Sequence, residues 1–149
     1  MPSCPWLWQL SDLRVGGGRL HLDRLEMLPG ITVITGPSGA GKSTLLGVLT
    51  GFVATGAGRV ERAPAGDRLP MFWACGGLAL WPGVSASQQL TLAGPSGFDP
   101  APLLTAYALD HRADIAPELL SAGERDRLDV ARAVASGADV LVLDEPFAH

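Results

Sequence analysis

The segment GPSGAGKST, residues 36–44, matches the pattern G-x-x-x-x-G-K-S/T and decides the fold. It follows ITVIT, residues 31–35, an uncharged β-branched run that predicts a central parallel strand buried on both faces. It precedes an apolar stretch with the spacing of a helix. Gly36, Gly39 and Gly41 permit backbone conformations in which successive N–H groups turn inward around phosphate oxygens. The sequence therefore predicts a strand, a phosphate-binding loop and a helix.

Two side chains of this segment have expected roles toward a nucleotide. Lys42 would reach the β- and γ-phosphates, and the Ser43 hydroxyl would bind Mg²⁺ held by the same oxygens. The free N–H groups and the positive dipole end of the helix add to the attraction for phosphate. The residues expected to contact the nucleotide are Gly36, Pro37, Ser38, Gly39, Ala40, Gly41, Lys42, Ser43 and Thr44.

An acidic pair, Asp144 and Glu145, follows the apolar run at residues 140–143, which predicts a second buried strand. A carboxylate at the end of a neighbouring strand can hold magnesium, and a second carboxylate can polarise the attacking water. We therefore expect Asp144 to be a metal ligand together with Ser43, and Glu145 to act in catalysis with Lys42.

The remaining elements are predicted from shorter patterns. Alternating apolar residues near the N-terminus predict edge strands joined by a glycine turn, and residues 71–77 predict another buried strand. The stretch from there to Asp114 is rich in proline and glycine, with one expected helix after Asp99. Ser121 and Glu124 have the S-x-x-E spacing of a capping box, and they begin the clearest predicted helix, which ends before Gly137.

Composition excludes several classes of function. The chain has 149 residues, 47% of them hydrophobic, which favours one globular domain. Its net charge of −4 and scattered basic residues disfavour nucleic acid as a partner. The longest apolar stretch is shorter than the roughly 20 residues that cross a bilayer, and the N-terminus does not resemble a secretory signal. Cys4 and Cys75 have no metal-binding spacing and suit a reducing compartment.

Three motifs occur in a fixed order: GPSGAGKST, then LSAGERDRLDVARAV at residues 120–134, then DVLVLDEP at residues 139–146. Together they resemble the ATP-binding cassette family, the nucleotide-hydrolysing domains of ABC transporters. The first and last correspond to the Walker A and Walker B motifs, and LSAGE corresponds to the family's LSGGQ signature. The resemblance implies one α/β domain over residues 1–149: a phosphate-loop NTPase core with a mostly parallel sheet, an N-terminal antiparallel β subdomain, and a helical subdomain at about residues 77–120.

The resemblance also implies a function. The chain would be the ATP-binding, ATP-hydrolysing subunit of a transporter that couples hydrolysis to solute transport. ATP and Mg²⁺ would be the cofactors, with Glu145 as general base. Two such domains would meet head to tail as a homodimer or heterodimer, so that the signature of one closes over the γ-phosphate held by the other. A transmembrane permease subunit would be the second partner, at the cytoplasmic face of the cell membrane. The signature residues are Ser121, Ala122, Gly123 and Glu124.

Two departures from the family pattern bear on coupling and on base recognition. The family places a glutamine ahead of a Leu-Phe-Pro landmark, which is Leu-Trp-Pro here at residues 80–82, and the place of the glutamine falls on Gly76. That glutamine couples the magnesium site to the membrane partner. The family's adenine-stacking aromatic falls near residue 15, where none is present. Trp6 or Trp8 could substitute, although alternating tryptophans on a strand favour simple packing.

The C-terminal segment leaves alternatives open. In the family, the strand with the acidic pair is followed by a loop, a helix, another core strand and a histidine that contacts the γ-phosphate. We expect these strands to be missing here, and His149 to have no such role. The 149-residue chain would then bind nucleotide weakly and hydrolyse it poorly. One alternative is a degenerate or truncated subunit that binds ATP without productive turnover. Another is a cassette ATPase of DNA repair or translation, which the acidic charge disfavours.

Overall fold

A computed structural model describes residues 5–18, 20–63, 71–75 and 79–146. The chain divides into two compact units, Met1–Leu69 and Pro70–His149. The predicted boundaries of a single domain with a helical subdomain stay a prediction.

The first unit contains a three-stranded antiparallel sheet in the order β2-β1-β3. Its strands are β1 (Trp8–Val15), β2 (Leu20–Met27) and β3 (Ala57–Arg62), and the glycine turn Gly16–Gly18 joins the first two. Buried residues alternate along β1 until a register shift, which follows Ser11 and absorbs one residue. The predicted N-terminal antiparallel sheet is confirmed.

Helix α1 (Lys42–Leu49) follows the phosphate loop in this unit. It buries Leu45, Val48 and Leu49, whose spacing of three and four residues forms one apolar face. The chain leaves the helix through Thr50 and turns at Gly51, which has a φ of 80°. The helix predicted from the apolar spacing is therefore present, and Lys42 and Ser43 lie in its first turn.

The prediction of a strand at residues 31–35 is wrong. These residues have no regular secondary structure, and Ile31 and Val33 are 97% and 76% exposed. A β-branched run becomes a strand only where a neighbour supplies backbone hydrogen bonds. In the described part of the first unit, β1 pairs with β2 on one side and with β3 on the other, and none of the three strands pairs with residues 31–35. Local composition is thus insufficient to form this element.

The second unit contains a parallel pair of strands, β4 (Met71–Cys75) and β5 (Val140–Asp144). Their register runs from Met71 opposite Val140 to Cys75 opposite Asp144. Both strands were predicted from their apolar runs, and their parallel direction agrees with the predicted α/β fold class. The register places Asp144 at the carboxyl end of the pair, the edge at which α/β proteins bind ligands.

Three helices pack in the second unit: α2 (Ala86–Ala93), α3 (Ala101–Ala106) and α4 (Ala122–Ala135). Short 3-10 turns at Asp110–Arg112 and Pro117–Leu119 connect α3 to α4. The prediction of one helix between residue 77 and Asp114 missed α2. Six buried leucines dominate the core of these helices, and burying each contributes about 1.5–3 kcal/mol. They are Leu80, Leu90, Leu104, Leu109, Leu120 and Leu128.

Candidate functional site

The phosphate loop curves around the amino group of Lys42. The Nζ atom donates hydrogen bonds to the carbonyl oxygens of Gly36 and Pro37, at 3.1 and 3.0 Å. The Ala40 N–H also donates to the Pro37 oxygen, at 3.2 Å, and closes a tight turn. Gly39 has a φ of 81°, in the left-handed region that a side chain disfavours. The loop therefore holds a lysine ammonium at its centre without a carboxylate partner among these contacts.

The N-terminus of α1 is open to a ligand. Its N-cap residue is Gly41 at a φ of 92°, so no side chain caps the helix, and the first turn has no acidic residue. The first N–H groups of a helix have no partner within the helix itself. Ser43 is exposed in this first turn, and Thr44 is half-buried beside it. Exposed donors, a serine hydroxyl and the lysine fit an anion with a bound divalent cation.

The acidic pair lies at the end of β5 in the second unit. Asp144 is the last residue of the strand and is half-buried, whereas Glu145 is exposed. Glu145 has a φ of 47°, a left-handed conformation that non-glycine residues adopt at a cost of about 1–2 kcal/mol. The backbone thus leaves the extended strand conformation directly after Asp144.

Cys75 lies opposite Asp144 in the strand register and is a free cysteine. Partial burial raises the pKa of its thiol, and the carboxylates of Asp129 and Asp144 raise that pKa further. The thiol consequently stays protonated at neutral pH, beside the carboxylate proposed as a metal ligand.

The predicted capping box at the N-terminus of α4 is confirmed. The Ser121 hydroxyl accepts a hydrogen bond from the Glu124 N–H, at 3.3 Å, and the Glu124 carboxylate accepts one from the Ser121 N–H, at 2.7 Å. Glu124 also pairs with Arg112, whose Nε lies 3.0 Å from Oε1. The hydrogen bonds from Ser121 and then from Arg112 lower the pKa of Glu124 to about 2. This helix start therefore carries a stable negative charge.

A second polar cluster, which no sequence pattern indicated, surrounds Arg132 on α4. Its side chain is 4% exposed, and its guanidinium donates to the Ala79 carbonyl at 2.8 Å and lies 4.5 Å from the centre of the Trp81 ring. Asp129, one turn earlier and also buried, lies 3.6 Å from it. Burial lowers the pKa of Arg132, and Asp129 opposes that shift. Arg132 therefore holds the Leu-Trp-Pro segment at residues 80–82 against α4.

Gln89 on α2 also contacts the Leu-Trp-Pro segment at residues 80–82. Its amide accepts from the Trp81 N–H at 3.2 Å and donates to the Trp81 and Val84 carbonyls, each at 3.1 Å. The side chain is fully buried. The Ser85 and Gln88 capping box that begins α2 was the available sequence signal for this helix.

The structure places the predicted site residues in both units. The nine loop residues lie in the first unit, and the signature residues and the acidic pair lie in the second. Within the second unit, Ser121 and Glu124 are in contact, as predicted for a capping box. The roles assigned to these residues toward a nucleotide stay predictions. Gly76, the position of the missing glutamine, is outside the described residues.

The possible adenine-stacking aromatics differ in exposure. Trp8 is 3% exposed and packs within the sheet of the first unit, whereas Trp6 is half-buried. Burial of Trp8 agrees with the simpler interpretation, that alternation of tryptophans on this strand reflects packing.

No helix in the described ranges is both long enough and apolar enough to span a bilayer.

Comparison with known proteins agrees with the resemblance. The chain is 38% identical over 145 residues to the cytochrome c biogenesis ATP-binding export protein CcmA of Gluconobacter oxydans, covering 94% of this chain and 66% of that protein. It is 37% identical over 129 residues to the taurine import ATP-binding protein TauB of Pseudomonas aeruginosa, covering 77% of this chain and 48% of that protein. The chain thus spans between about half and two thirds of the length of these relatives.

The fold is also similar to a solved structure described as a metal-chelate type ABC transporter in an inward-facing conformation. The TM-score is 0.73 at 21% identity, covering 97% of this chain and 62% of that one. The family profile for ABC transporters matches residues 25–148, which include the phosphate loop, the signature segment and the acidic pair. Since that match covers most of the sequence, the chain belongs to the ABC transporter family.

Proposed function

We propose that this chain is the ATP-binding, ATP-hydrolysing subunit of an ABC transporter, in which hydrolysis drives the transport of a solute. The observation that carries this proposal is the start of α1. There a glycine N-cap leaves the helix N-terminus without a side-chain cap, beside a lysine held by loop carbonyls. The names of the relatives CcmA and TauB, an export and an import ATP-binding protein, support the same class of function.

The residues present fit Mg-ATP. The ammonium of Lys42 and the N–H groups of the loop would bind phosphate oxygens, and the hard oxygen donors of Ser43 and Asp144 are those that Mg²⁺ prefers. Bound Mg²⁺ would neutralise charge on the phosphates. Glu145 would accept a proton from the attacking water, and its exposed carboxylate at the strand end is free to reach a substrate.

The partners in this proposal are a second ATPase domain and a transmembrane permease subunit, at the cytoplasmic face of the membrane. The second ATPase domain would present its nucleotide to Ser121, Ala122, Gly123 and Glu124 at the start of α4. Ala122 and Gly123 follow the serine N-cap in the first helical turn, where backbone N–H groups are available to an anion.

The substitution Glu145→Gln distinguishes ATP hydrolysis from ATP binding. Glu145→Gln keeps the size of the side chain and removes its basicity, so release of phosphate should fall by at least about a hundredfold while Mg-ATP binding is retained. Phosphate release and equilibrium binding of the wild type and the variant measure the two quantities. Turnover that is unchanged in Glu145→Gln would contradict the assigned base. Binding without turnover in the wild type would favour a nucleotide-binding subunit that does not hydrolyse ATP.

A further inference from the structure

The N-terminus of α4 already holds an anion, and that anion belongs to its own chain. Both oxygens of the Glu124 carboxylate are engaged. Oε2 accepts from the Ser121 N–H at 2.7 Å and from the Ser121 hydroxyl at 2.8 Å, and Oε1 accepts from Arg112 Nε at 3.0 Å. His111 Nε2 lies 3.6 Å from the same Oε1. The family signature has a neutral glutamine at this position, so a formal negative charge is a property of this chain.

The Ser121 hydroxyl is committed to this carboxylate. Its single proton points to Oε2 of Glu124, while its oxygen accepts from the Glu124 N–H at 3.3 Å. A nucleotide phosphate only accepts hydrogen bonds. Ser121 can therefore donate to a phosphate only after its hydroxyl turns away from Glu124.

Arg112 forms an ion pair with Glu124 and so offsets its negative charge. The Glu124 side chain is 11% exposed, so water screens its charge weakly, and the arginine supplies the nearest opposite charge. Arg112 is held by the turn Asp110–Arg112, which precedes α4 in the chain, and its own side chain is half-exposed. The guanidinium contacts the oxygen that Ser121 does not use, so it also orients the carboxylate.

We infer that Arg112 is a positioning residue for the signature segment. It neutralises and orients Glu124, and thereby sets how readily the start of α4 accepts a nucleotide phosphate carried by a second ATPase chain. This inference rests on the proposed function. Without Arg112, the unneutralised carboxylate repels the incoming phosphate; with glutamine in place of Glu124, the repulsion is absent whether or not Arg112 is present.

The test compares Glu124→Gln, Arg112→Gln and the double variant with the wild type. The chain is titrated with Mg-ATP, and its self-association is measured by sedimentation as the chain concentration of half-association. We expect Glu124→Gln to associate at about tenfold lower concentration and Arg112→Gln at about tenfold higher concentration. In the Glu124→Gln background, Arg112→Gln should have no further effect, because its action passes through the carboxylate.

Three controls separate this role from a structural one. Arg24→Gln removes the same charge from an exposed position on β2 and should leave association unchanged. Thermal unfolding checks that the variants fold, and calorimetric titration of the dilute chain checks that ATP binding at the phosphate loop is retained. Arg112→Lys keeps the charge and should restore part of the association.

The outcomes are distinct. If the wild type binds Mg-ATP but Arg112→Gln weakens association equally with Glu124 and with glutamine, the inference is overturned and the proposed function stands. The same holds if none of the variants changes association. If the wild type does not bind Mg-ATP, the proposed function fails, and the inference fails with it.

Discussion

Helices α1 and α4 begin in opposite ways. α1 starts from a glycine in the left-handed region, with no side-chain cap and no acidic residue in its first turn. α4 starts from Ser121 with both hydrogen bonds of a capping box and with Glu124 in its first turn. α1 begins in the phosphate loop and α4 begins in the signature segment. The start of α1 has no side-chain cap, whereas the start of α4 is capped by its own side chains.

This difference separates stability from ligand binding. A capped helix start stabilises the helix by about 1 kcal/mol without any ligand. An uncapped start forgoes that contribution, and its free N–H groups remain available to an anion. We therefore expect loss of the serine hydroxyl at the start of α4 to act mainly on folding, and loss of the serine hydroxyl at the start of α1 to act mainly on nucleotide binding.

The largest expected effect on stability comes from the packing of α4 rather than from its cap. Arg132→Ala removes the buried guanidinium next to Asp129 and Trp81, and should lower the free energy of unfolding by about 3–5 kcal/mol. Urea denaturation followed by circular dichroism measures this loss. A loss below about 1 kcal/mol would show that α4 depends more on its cap than on this buried cluster.

Gly41→Ala tests the backbone of the open helix start. An alanine at a φ of 92° should destabilise the chain by about 1–2 kcal/mol, because the Cβ atom crowds the backbone. Gly41→Asn is the matched control, since asparagine tolerates left-handed conformations better than alanine does. Both variants are compared in the same urea titration. Equal losses for alanine and asparagine would argue against backbone strain as the cause.

A pair of serine variants compares the two helix starts directly. Ser121→Ala removes the capping hydroxyl of α4 and should cost about 1 kcal/mol of stability. Ser43→Ala removes an exposed hydroxyl from a helix that has no side-chain cap, so its cost should be about 0.5 kcal/mol or less. Ser43→Ala should instead weaken Mg-dependent ATP binding. Equal destabilisation by Ser43→Ala and Ser121→Ala would contradict the proposed difference between the two helix starts.

Glu124→Gln removes a carboxylate whose charged form stabilises the folded state at neutral pH, so the difference in stability between this variant and the wild type should shrink in acid. The folded state lowers the pKa of Glu124 from 4.5 to about 2, so it favours the charged form. The resulting stabilisation is complete above about pH 4.5 and is lost as the pH falls toward 2. Denaturation midpoints measured across this interval should therefore fall more steeply for the wild type than for Glu124→Gln. Parallel curves would contradict the pKa assignment.

The parts of the fold that follow from local patterns were predictable. The capping box of α4 lies within four residues, so the helix and its start could be read from Ser121 and Glu124 alone. The same signal, Ser85 and Gln88, marks α2, although the surrounding stretch is rich in proline and glycine, which disfavours a helix. The parallel strands β4 and β5 were identified from continuous apolar runs that lack polar alternation.

The parts that depend on distant partners were not predictable in the same way. Residues 31–35 have the composition of a buried strand, but a strand also requires a hydrogen-bonding neighbour, which no local pattern specifies. The contacts of Arg132 with Ala79 and Trp81 join segments far apart in sequence. The left-handed backbone of Glu145 likewise has no sequence signature in a non-glycine residue.

We expect the phosphate loop and the open start of α1 to bind ATP through Lys42. Calorimetric titration of the wild-type chain and of Lys42→Ala with Mg-ATP tests this most directly, with Arg24→Ala as a charge-loss control. We expect saturable binding by the wild type and the control, and affinity at least about a hundredfold weaker in Lys42→Ala, because the ammonium that contacts the loop carbonyls is lost. Equal affinities in the wild type and Lys42→Ala, or no binding by the wild type, would contradict it.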